Sequence, residues 1–482
     1  MNDPTIRATR VIHRSRRRAI PLAMFAMTLS ACASFSDDGG FGAVQTNTAE
    51  RLGPNVKLTW AREPGDQDLI DQRVRELLAK PLGMDDAVQV ALLNNRGLQA
   101  AYSDLGLAEA QVVQAGRLPN PGFTLGRFTR GDEIEREVGF HVNLARLIAM
   151  PLLQGVQERR FAQVQADVSM RVLSLAADTR KAWVQAVATE ESVRYSRQVM
   201  QAGEAGAELA RRMAQVGNFN KLQQAREQSF FADAAMNLAR AQQQRLAARE
   251  RLTRLLGLWA EQTRFTLPER LPDLPAQARE LPDLERTALT RRLDVMAARA
   301  GAEQTARNLG LTRTTRLVNV LELGGMRSRS NEEPTQRGWE VGFELPLFDW
   351  GGGRIAQAEA VYRQAMNRAA ETAINARSEV REAYGAYRTA WDIARHQREE
   401  IVPLKSRIAE ENLLRYNGML IGVFDLLADA RSQIASVNGA IDALRDFWLS
   451  HADLDMALVG RPSLSAAAGP VMSASDAGGA GH

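Results

Sequence analysis

Proline placement constrains this chain more than any other feature. None interrupts Leu152–Leu267, and between Leu347 and Arg461 only Pro403 occurs. A proline inside a helix costs about 3 kcal/mol or more, so tracts without it permit very long helices. Both tracts are rich in Ala, Arg, Gln, Glu and Leu, the strong helix formers. Hydrophobic residues make up 45% of the chain and aromatics 6%, a mix that suits closely packed helices better than a β-sandwich. Elsewhere prolines cluster, as in Leu267–Pro282, which reads as a linker between halves, and the Gly/Ala/Ser-rich segment after Arg461 reads as a disordered tail.

Each tract is interrupted once near its middle, at Arg212–Gln228 and at Asn417–Gln433. Aligned on Ala225-Arg226 and Ala430-Arg431, Gly217 matches Gly422, Phe219 matches Phe424 and Asn220 matches Asp425. Glycine followed by Asn or Asp supplies a helix end, a turn and a new N-cap, so each tract predicts a helical hairpin. Its first arm, from about 152 to 216 or 351 to 416, is about 100 Å long at 1.5 Å per residue. The correspondence extends backward: Ala91–Ala101 resembles Ala288–Ala298, and a candidate strand follows in each half, Pro121–Arg130 and Arg316–Gly325. The chain reads as a duplication of helix–strand–strand–helical hairpin.

The second strand of each half contains the same four letters, EVGF, at Glu137–Phe140 and Glu340–Phe343. Val138, Phe140, Val142 and Leu144 alternate with Gly139, His141 and Asn143, and Trp339 through Leu347 alternates with Glu340, Gly342 and Glu344. Such alternation puts one face in an apolar medium and one in water. It fits an ordinary sheet on a core as well as a lipid-facing one. A sheet crosses lipid only when closed, and single-chain barrels begin at about eight strands. Four strands per chain therefore require several chains; three would supply about twelve.

The N-terminus favours the membrane. A basic stretch ends at Arg18, an apolar run spans Ala19–Leu29, and Leu-Ser-Ala-Cys follows. The run is half the roughly 20 residues of a membrane-spanning helix and reads as a secretory signal. Leu29–Cys32 resembles a bacterial lipobox, which implies acylation of Cys32, the sole cysteine, and so excludes an intrachain disulfide. Six arginines of the formal +4 charge fall in this leader, and the remainder has no cationic excess to attract nucleic acid.

These residues resemble a known family. Leu345–Arg354, LPLFDWGGGR, resembles the strand-to-helix junction of TolC-like outer-membrane efflux proteins, and the paired tips resemble that family's G…D/N-x-L pattern before Ala-Arg. The resemblance covers roughly residues 80–460. It implies a mainly α fold with a small membrane β-barrel, in which the duplicated unit trimerises into an α/β-barrel tunnel. The implied layout is a lipoprotein signal peptide at 1–31, a lipid-anchored extension at 32–80, a first repeat at 81–260 (strands about 121–145, hairpin about 152–258) and a linker at 261–282. A second repeat covers 283–460 (strands about 316–347, hairpin about 351–459), followed by the tail at 461–482. It further implies a homotrimeric exit duct in the outer membrane of a Gram-negative bacterium, joined by a periplasmic adaptor to an inner-membrane transporter, with Cys32 marking the lipidated branch. Pro346 and Gly351, Gly352 and Gly353 would bend sheet into helix. Gly217, Asn218, Phe219, Asn220, Gly422, Val423, Phe424 and Asp425 would face the adaptor, although Phe219 and Phe424 could instead pack inside their hairpins. Glu410, Glu411, Asp425 and Asp429 would form an acidic entrance ring, although Asp425 could instead cap a helix. His141, Asn143, Glu340 and Glu344 would line the barrel. In the first half, Leu144–Met150 intervenes before Pro151, so the corner there departs from the pattern.

No enzyme chemistry competes. Glu340 and Glu344 would lie about 13 Å apart along a strand, too far to act on one bond. The histidines (His13, His141, His396, His451, His482) lack ligand spacing, no GxxxxGK[ST] accompanies the glycines, and no metal or cofactor is called for. The rival reading is a periplasmic coiled-coil lipoprotein with a tethering role, which sustained apolar heptads would favour.

Overall fold

The structure, a computed structural model, describes residues 34–53, 56–315, 321–343, 348 and 350–462. Cys32, Glu344 and Pro346 lie outside them. The chain runs α1 (Phe41–Leu52), α2 (Pro64–Leu78), α3 (Met84–Asn94), α4 (Arg96–Ala115), β1 (Gly122–Arg130), β2 (Glu133–Asn143), α5 (Leu144–Gln215) and α6 (Lys221–Leu256). After a 3-10 turn at Ala260–Thr263 come α7 (Leu284–Arg291), α8 (Leu293–Thr315), β3 (Leu321–Ser330), β4 (Gln336–Phe343), α9 (Gly352–His396), α10 (Val402–Asn417) and α11 (Val423–Val459), with a π turn at Gln397–Ile401 between α9 and α10. The residues divide into two compact units, each assembled from separate stretches of chain: 1–43, 103–165 and 298–369 in one, 44–102, 166–297 and 370–482 in the other.

The first unit holds the sheet, antiparallel throughout in the order β1-β2-β3-β4. The EVGF strands are β2 and β4, as expected. Of the expected strand Arg316–Gly325, residues 316–320 lie outside the described residues, Leu321–Gly325 is strand, and β3 continues to Ser330. Leu144, expected on the apolar strand face, instead opens α5, and the helix begins well ahead of Pro151. The Asn143 side chain accepts the Arg146 amide at 2.7 Å and caps it. Pro151 consequently lies inside a helix of 72 residues, about 108 Å long, and leaves the Leu147 carbonyl without its usual donor.

The second unit is helical and carries the larger apolar cores. In one, Trp183 is buried among Ile70, Val74, Leu92-flanking Ala91 and Leu93, Leu252 and Leu256, and its indole N–H donates to the Leu82 carbonyl at 2.7 Å. In the other, Tyr387, Trp391, Phe447 and Leu454 pack together. Buried positions on α9 (Ala376, Val380, Ala383, Tyr387, Trp391, Ala394) and on α6 (Ala234, Ala241, Ala248) follow heptad spacing. Heptads therefore do occur, largely with alanine, which lets helix axes approach closely.

The proline-rich linker is not loose. Phe265, Leu271 and Leu274 are buried. Trp448 and Trp391 donate their indole N–H groups to the Pro272 and Pro275 carbonyls, both at 3.0 Å, and the Arg279 amide donates to the Tyr387 hydroxyl at 2.9 Å. Proline removes a donor but keeps its acceptor, and tryptophan, a donor only, fits that acceptor.

Two helix breaks fall at aligned positions. Asn95 separates α3 from α4 with φ −68° and ψ 113°, and Arg292 separates α7 from α8 with φ −70° and ψ 126°. Asn94 donates to the Leu256 and Gly257 carbonyls and Asn95 to that of Leu255, at the end of α6. Arg292 donates to the Ala457 carbonyl near the end of α11 at 3.4 Å, and is buried between Asp294 and Glu379, each at 2.7 Å. Burial opposes its charge, but these two carboxylates outweigh it and raise the guanidinium's pKa. Pro403 explains the π turn: its ring lacks an N–H and would crowd the Glu399 carbonyl, and the widened turn, closed by Val402 N–H to the Gln397 carbonyl, relieves this.

His451 supplies a pH test of the second core. It packs against the rings of Tyr387, Phe447 and Trp448. Burial first, then Arg279 and Arg180, lower its pKa against the opposing pull of Asp455. A folded pKa below the unfolded value of about 6.5 means that the unfolded chain binds the proton more readily. Stability should be full above about pH 6.5 and fall as pH drops toward the folded pKa. Denaturation midpoints against pH should show this loss in the native protein and lack it in His451→Phe; parallel curves would refute it.

Candidate channel strands and hairpin tips

The strand register sorts side chains by chemistry. Phe123 pairs with Phe140, Leu125 with Val138, Val142 with Leu323, Leu323 with Val341 and Gly325 with Trp339. All these apolar side chains share one face. Most are exposed, Leu125 at 81% and Trp339 at 79%, so none of the described residues covers them. The other face carries Glu133, Glu135, Glu137, Glu322 and Glu340, together with His141 and Ser328. Ser330 donates to Glu133 at 3.0 Å, Ser328 donates to Glu135, and Asn331 ties the two turns by bonds to the Ile134 amide and the Asp132 carbonyl.

The predicted lining residues separate into two groups. His141 and Glu340 flank Gly324 in one register row. His141 also overlies Gly122, where an added Cβ would meet its Nε2 at 2.2 Å, so the imidazole needs that glycine. Asn143 shares their face but is engaged as the α5 cap. Of the three junction glycines, only Gly351 adopts a positive φ, +76°, and its carbonyl accepts the Ile355 amide at 3.1 Å. Gly352 and Gly353 lie in α9 with open space where a Cβ would go. The two strand-to-helix corners thus use different devices, an asparagine cap and a left-handed glycine.

The tips differ in the same way. At the first, Gly217 has φ +78°, the Asn218 amide donates back to the Met213 carbonyl at 2.8 Å, and Asn220 caps α6 in a reciprocal capping box with Gln223. Phe219 is buried rather than presented outward. At the second, the left-handed residue is Met419, φ +61°, and α11 starts at Val423 behind Gly422. Asp425 therefore sits three residues into the cap region and accepts the Gly422 amide at 3.3 Å, rather than occupying the N-cap as its partner Asn220 does. Exposed apolar groups at the tips are Leu222, the leucine of the motif, and three that the motif passes over: Val216 at the first tip, Met419 and Leu420 at the second. The sequence signal for Val216, Met419 and Leu420 is an apolar residue beside the tip glycines.

The four acids each have a local partner. Glu410 accepts from Ser406, Glu411 pairs with Arg415 at 3.7 Å, Asp425 caps its own helix, and Asp429 accepts from Asn412. Further along, Glu227 on α6 is buried and pairs with Arg431 on α11 at 2.7 Å, the guanidinium lying over Phe230. Among the described residues no group of three or more His, Cys, Asp or Glu side chains could hold a metal ion, and no helix is long and apolar enough to cross a membrane.

The described residues combine a short antiparallel sheet with helices of up to 72 residues, and β2 runs directly into the longest of them. The structure matches the open-state outer membrane channel MtrE of Neisseria gonorrhoeae with a TM-score of 0.66 at 19% identity, over 79% of this chain and 91% of that one. It matches the Campylobacter jejuni CmeC outer membrane channel with a TM-score of 0.65 at 16% identity, over 88% and 92%. The chain thus has the fold of the TolC-like outer-membrane efflux proteins, as its motifs implied. By sequence it is 25% identical over 292 residues to the cobalt-zinc-cadmium resistance protein CzcC of Cupriavidus metallidurans, covering 58% of this chain and 66% of that protein, just short of two thirds. No protein-family profile matches it.

Two expectations follow for stability. Gly351→Ala should lower it by about 1–2 kcal/mol because an L side chain is strained at that φ, whereas Gly353→Ala should raise it by about 0.5–1 kcal/mol; thermal unfolding of the two variants discriminates. Arg431→Ala should cost about 3 kcal/mol by leaving the Glu227 carboxylate buried alone, and combining it with Glu227→Leu should restore much of the loss. A restoration below one third in denaturant titrations would refute the pairing.

Proposed function

We propose that the chain is one protomer of a homotrimeric outer-membrane channel, the passive exit duct of a tripartite efflux system. The observation that carries this is the sheet: an uncovered apolar face, an acidic opposite face and two unpaired edges, β1 and β4. Lipid satisfies no free strand edge, so closure needs further copies. Three copies would close about twelve strands, and β1 of one copy beside β4 of the next would complete every ladder. Phe343, Phe348 and Trp350, all exposed, suit an aromatic girdle at the helical end.

The aligned breaks at Asn95 and Arg292 and the repeated order of helix, two strands and helical hairpin support an internal duplication. The duplication supports repeats at 81–260 and 283–460 about the linker, and the N-terminal sequence supports a signal peptide at 1–31, lipid attachment at Cys32 and an extension to 80; a tail covers 461–482. The hairpins extend into the periplasm. Their tips, through Val216, Leu222, Met419 and Leu420, meet a periplasmic adaptor joined to an inner-membrane transporter. His141, Glu340 and the other strand glutamates line the pore and catalyse nothing. Threefold repetition of five glutamates against Arg130 favours cations. Divalent metal cations are a cargo class consistent with this face and with the name of the CzcC relative.

The test is conductance. Protein extracted only by detergent should run as a heat-dissociable trimer and form cation-preferring pores in planar bilayers, and Glu137→Gln with Glu340→Gln should weaken that preference. A monomer released without detergent and silent in bilayers would favour the tethering coiled-coil lipoprotein, for which the heptads of α6 and α9 are the supporting observation.

A further inference from the structure

The face that carries the apolar side chains changes character toward the strand turns. Arg127 pairs directly with Arg136, Arg136 with Arg329, and Arg327 with Arg337, so two adjacent rows bring five arginines together. All five are exposed. Every carboxylate of the four strands lies on the opposite face, and none of the five arginines has an ion pair among the described residues. Like charges directly opposite on neighbouring strands repel, so a sheet that stacks three guanidinium groups in one row is missing an anion.

The position of the rows says which anion. On a lipid-facing strand, arginine is costly at the bilayer midplane and nearly free at the interface. Here the apolar band occupies the helical end of the strands, and the arginines begin where it stops, beside Val138 and Trp339. In the proposed channel, on which this inference rests, that level is the headgroup layer of the leaflet farther from the periplasm. Guanidinium binds phosphate bidentately, and clustered basic residues at a membrane surface hold anionic headgroups. We propose that Arg127, Arg136, Arg327, Arg329 and Arg337 form a collar that binds the phosphate groups of phosphorylated lipid headgroups around the outside of the barrel. The opposite face, bearing Glu133, Glu135 and Glu137, keeps the charge of the pore separate from that of the collar.

The experiment uses full-length protein purified in a mild nonionic detergent. It compares binding of bis-phosphorylated lipid A, its dephosphorylated form and inorganic phosphate to the native protein, to Arg127→Gln/Arg136→Gln/Arg329→Gln and to Arg327→Gln/Arg337→Gln. Trimer migration and conductance are read in parallel. The expected result is preference for the phosphorylated lipid and about a tenfold or greater loss in the triple variant, with a smaller loss in the double variant and unchanged conductance in both. Equal binding of the dephosphorylated lipid overturns the proposal, as does unchanged binding in both variants. Displacement of the lipid by millimolar phosphate alone would reduce the collar to a small-ion site and also overturn it. Loss of trimer and conductance in the native protein would instead sink the channel reading, and the collar with it, a failure distinguishable from lost lipid preference in an intact pore.

Discussion

Four strands form an antiparallel sheet whose edges β1 and β4 have no further strand partner, and whose apolar face is not covered, among the described residues. In the proposed channel, neighbouring copies would supply the partners of the β1 and β4 edges and lipid would cover the exposed Leu125, Phe140 and Trp339. A soluble domain would have answered with a helix laid across the face. Instead β2 continues without pause into α5, so the strand direction sets the helix direction and the corner becomes a critical joint.

The two halves solve these joints with different chemistry. At the strand-to-helix corner, Asn143 caps α5 in one half and Gly351 takes a left-handed turn in the other. At the tips, Gly217 performs its ordinary C-terminal role, while Met419 occupies the same left-handed region despite its side chain. At the breaks before the strands, asparagines reach the end of α6, while a buried arginine, held by two carboxylates, reaches the end of α11. At aligned positions, only the breaks at Asn95 and Arg292 share their backbone geometry with different side chains; at the other joints both differ, because a joint needs a satisfied amide or carbonyl and accepts several ways of supplying one.

The helical unit shows how alanine and proline act together. Alanine at heptad positions removes side-chain bulk, and so burial per residue is modest. The larger groups, Trp183, Tyr387, Trp391 and Phe447, are concentrated near the linker level, where indole donors meet carbonyls of the prolines or of Leu82. The linker becomes a packed strap, and the buried Lys181–Asp453 pair ties α5 to α11 within the same unit. Removing one partner of such a pair would leave the other charge buried alone, which is the costly case.

What residues 1–482 determined alone was the local grammar. Absent prolines marked the long helices, period-two alternation marked β2 and β4, and Gly217 and Asn220 marked a hairpin tip, because these signals act within a few residues. One sequence-level boundary failed where a local competitor won: Asn143 started α5 ahead of Pro151. Tertiary structure alone decided which residues meet. The arginine rows exist only through strand register, Asn143 turns from lining to cap through its own helix, and the units draw on stretches far apart in the chain. Pairing across such separations depends on the whole packing, and no window of sequence contains it.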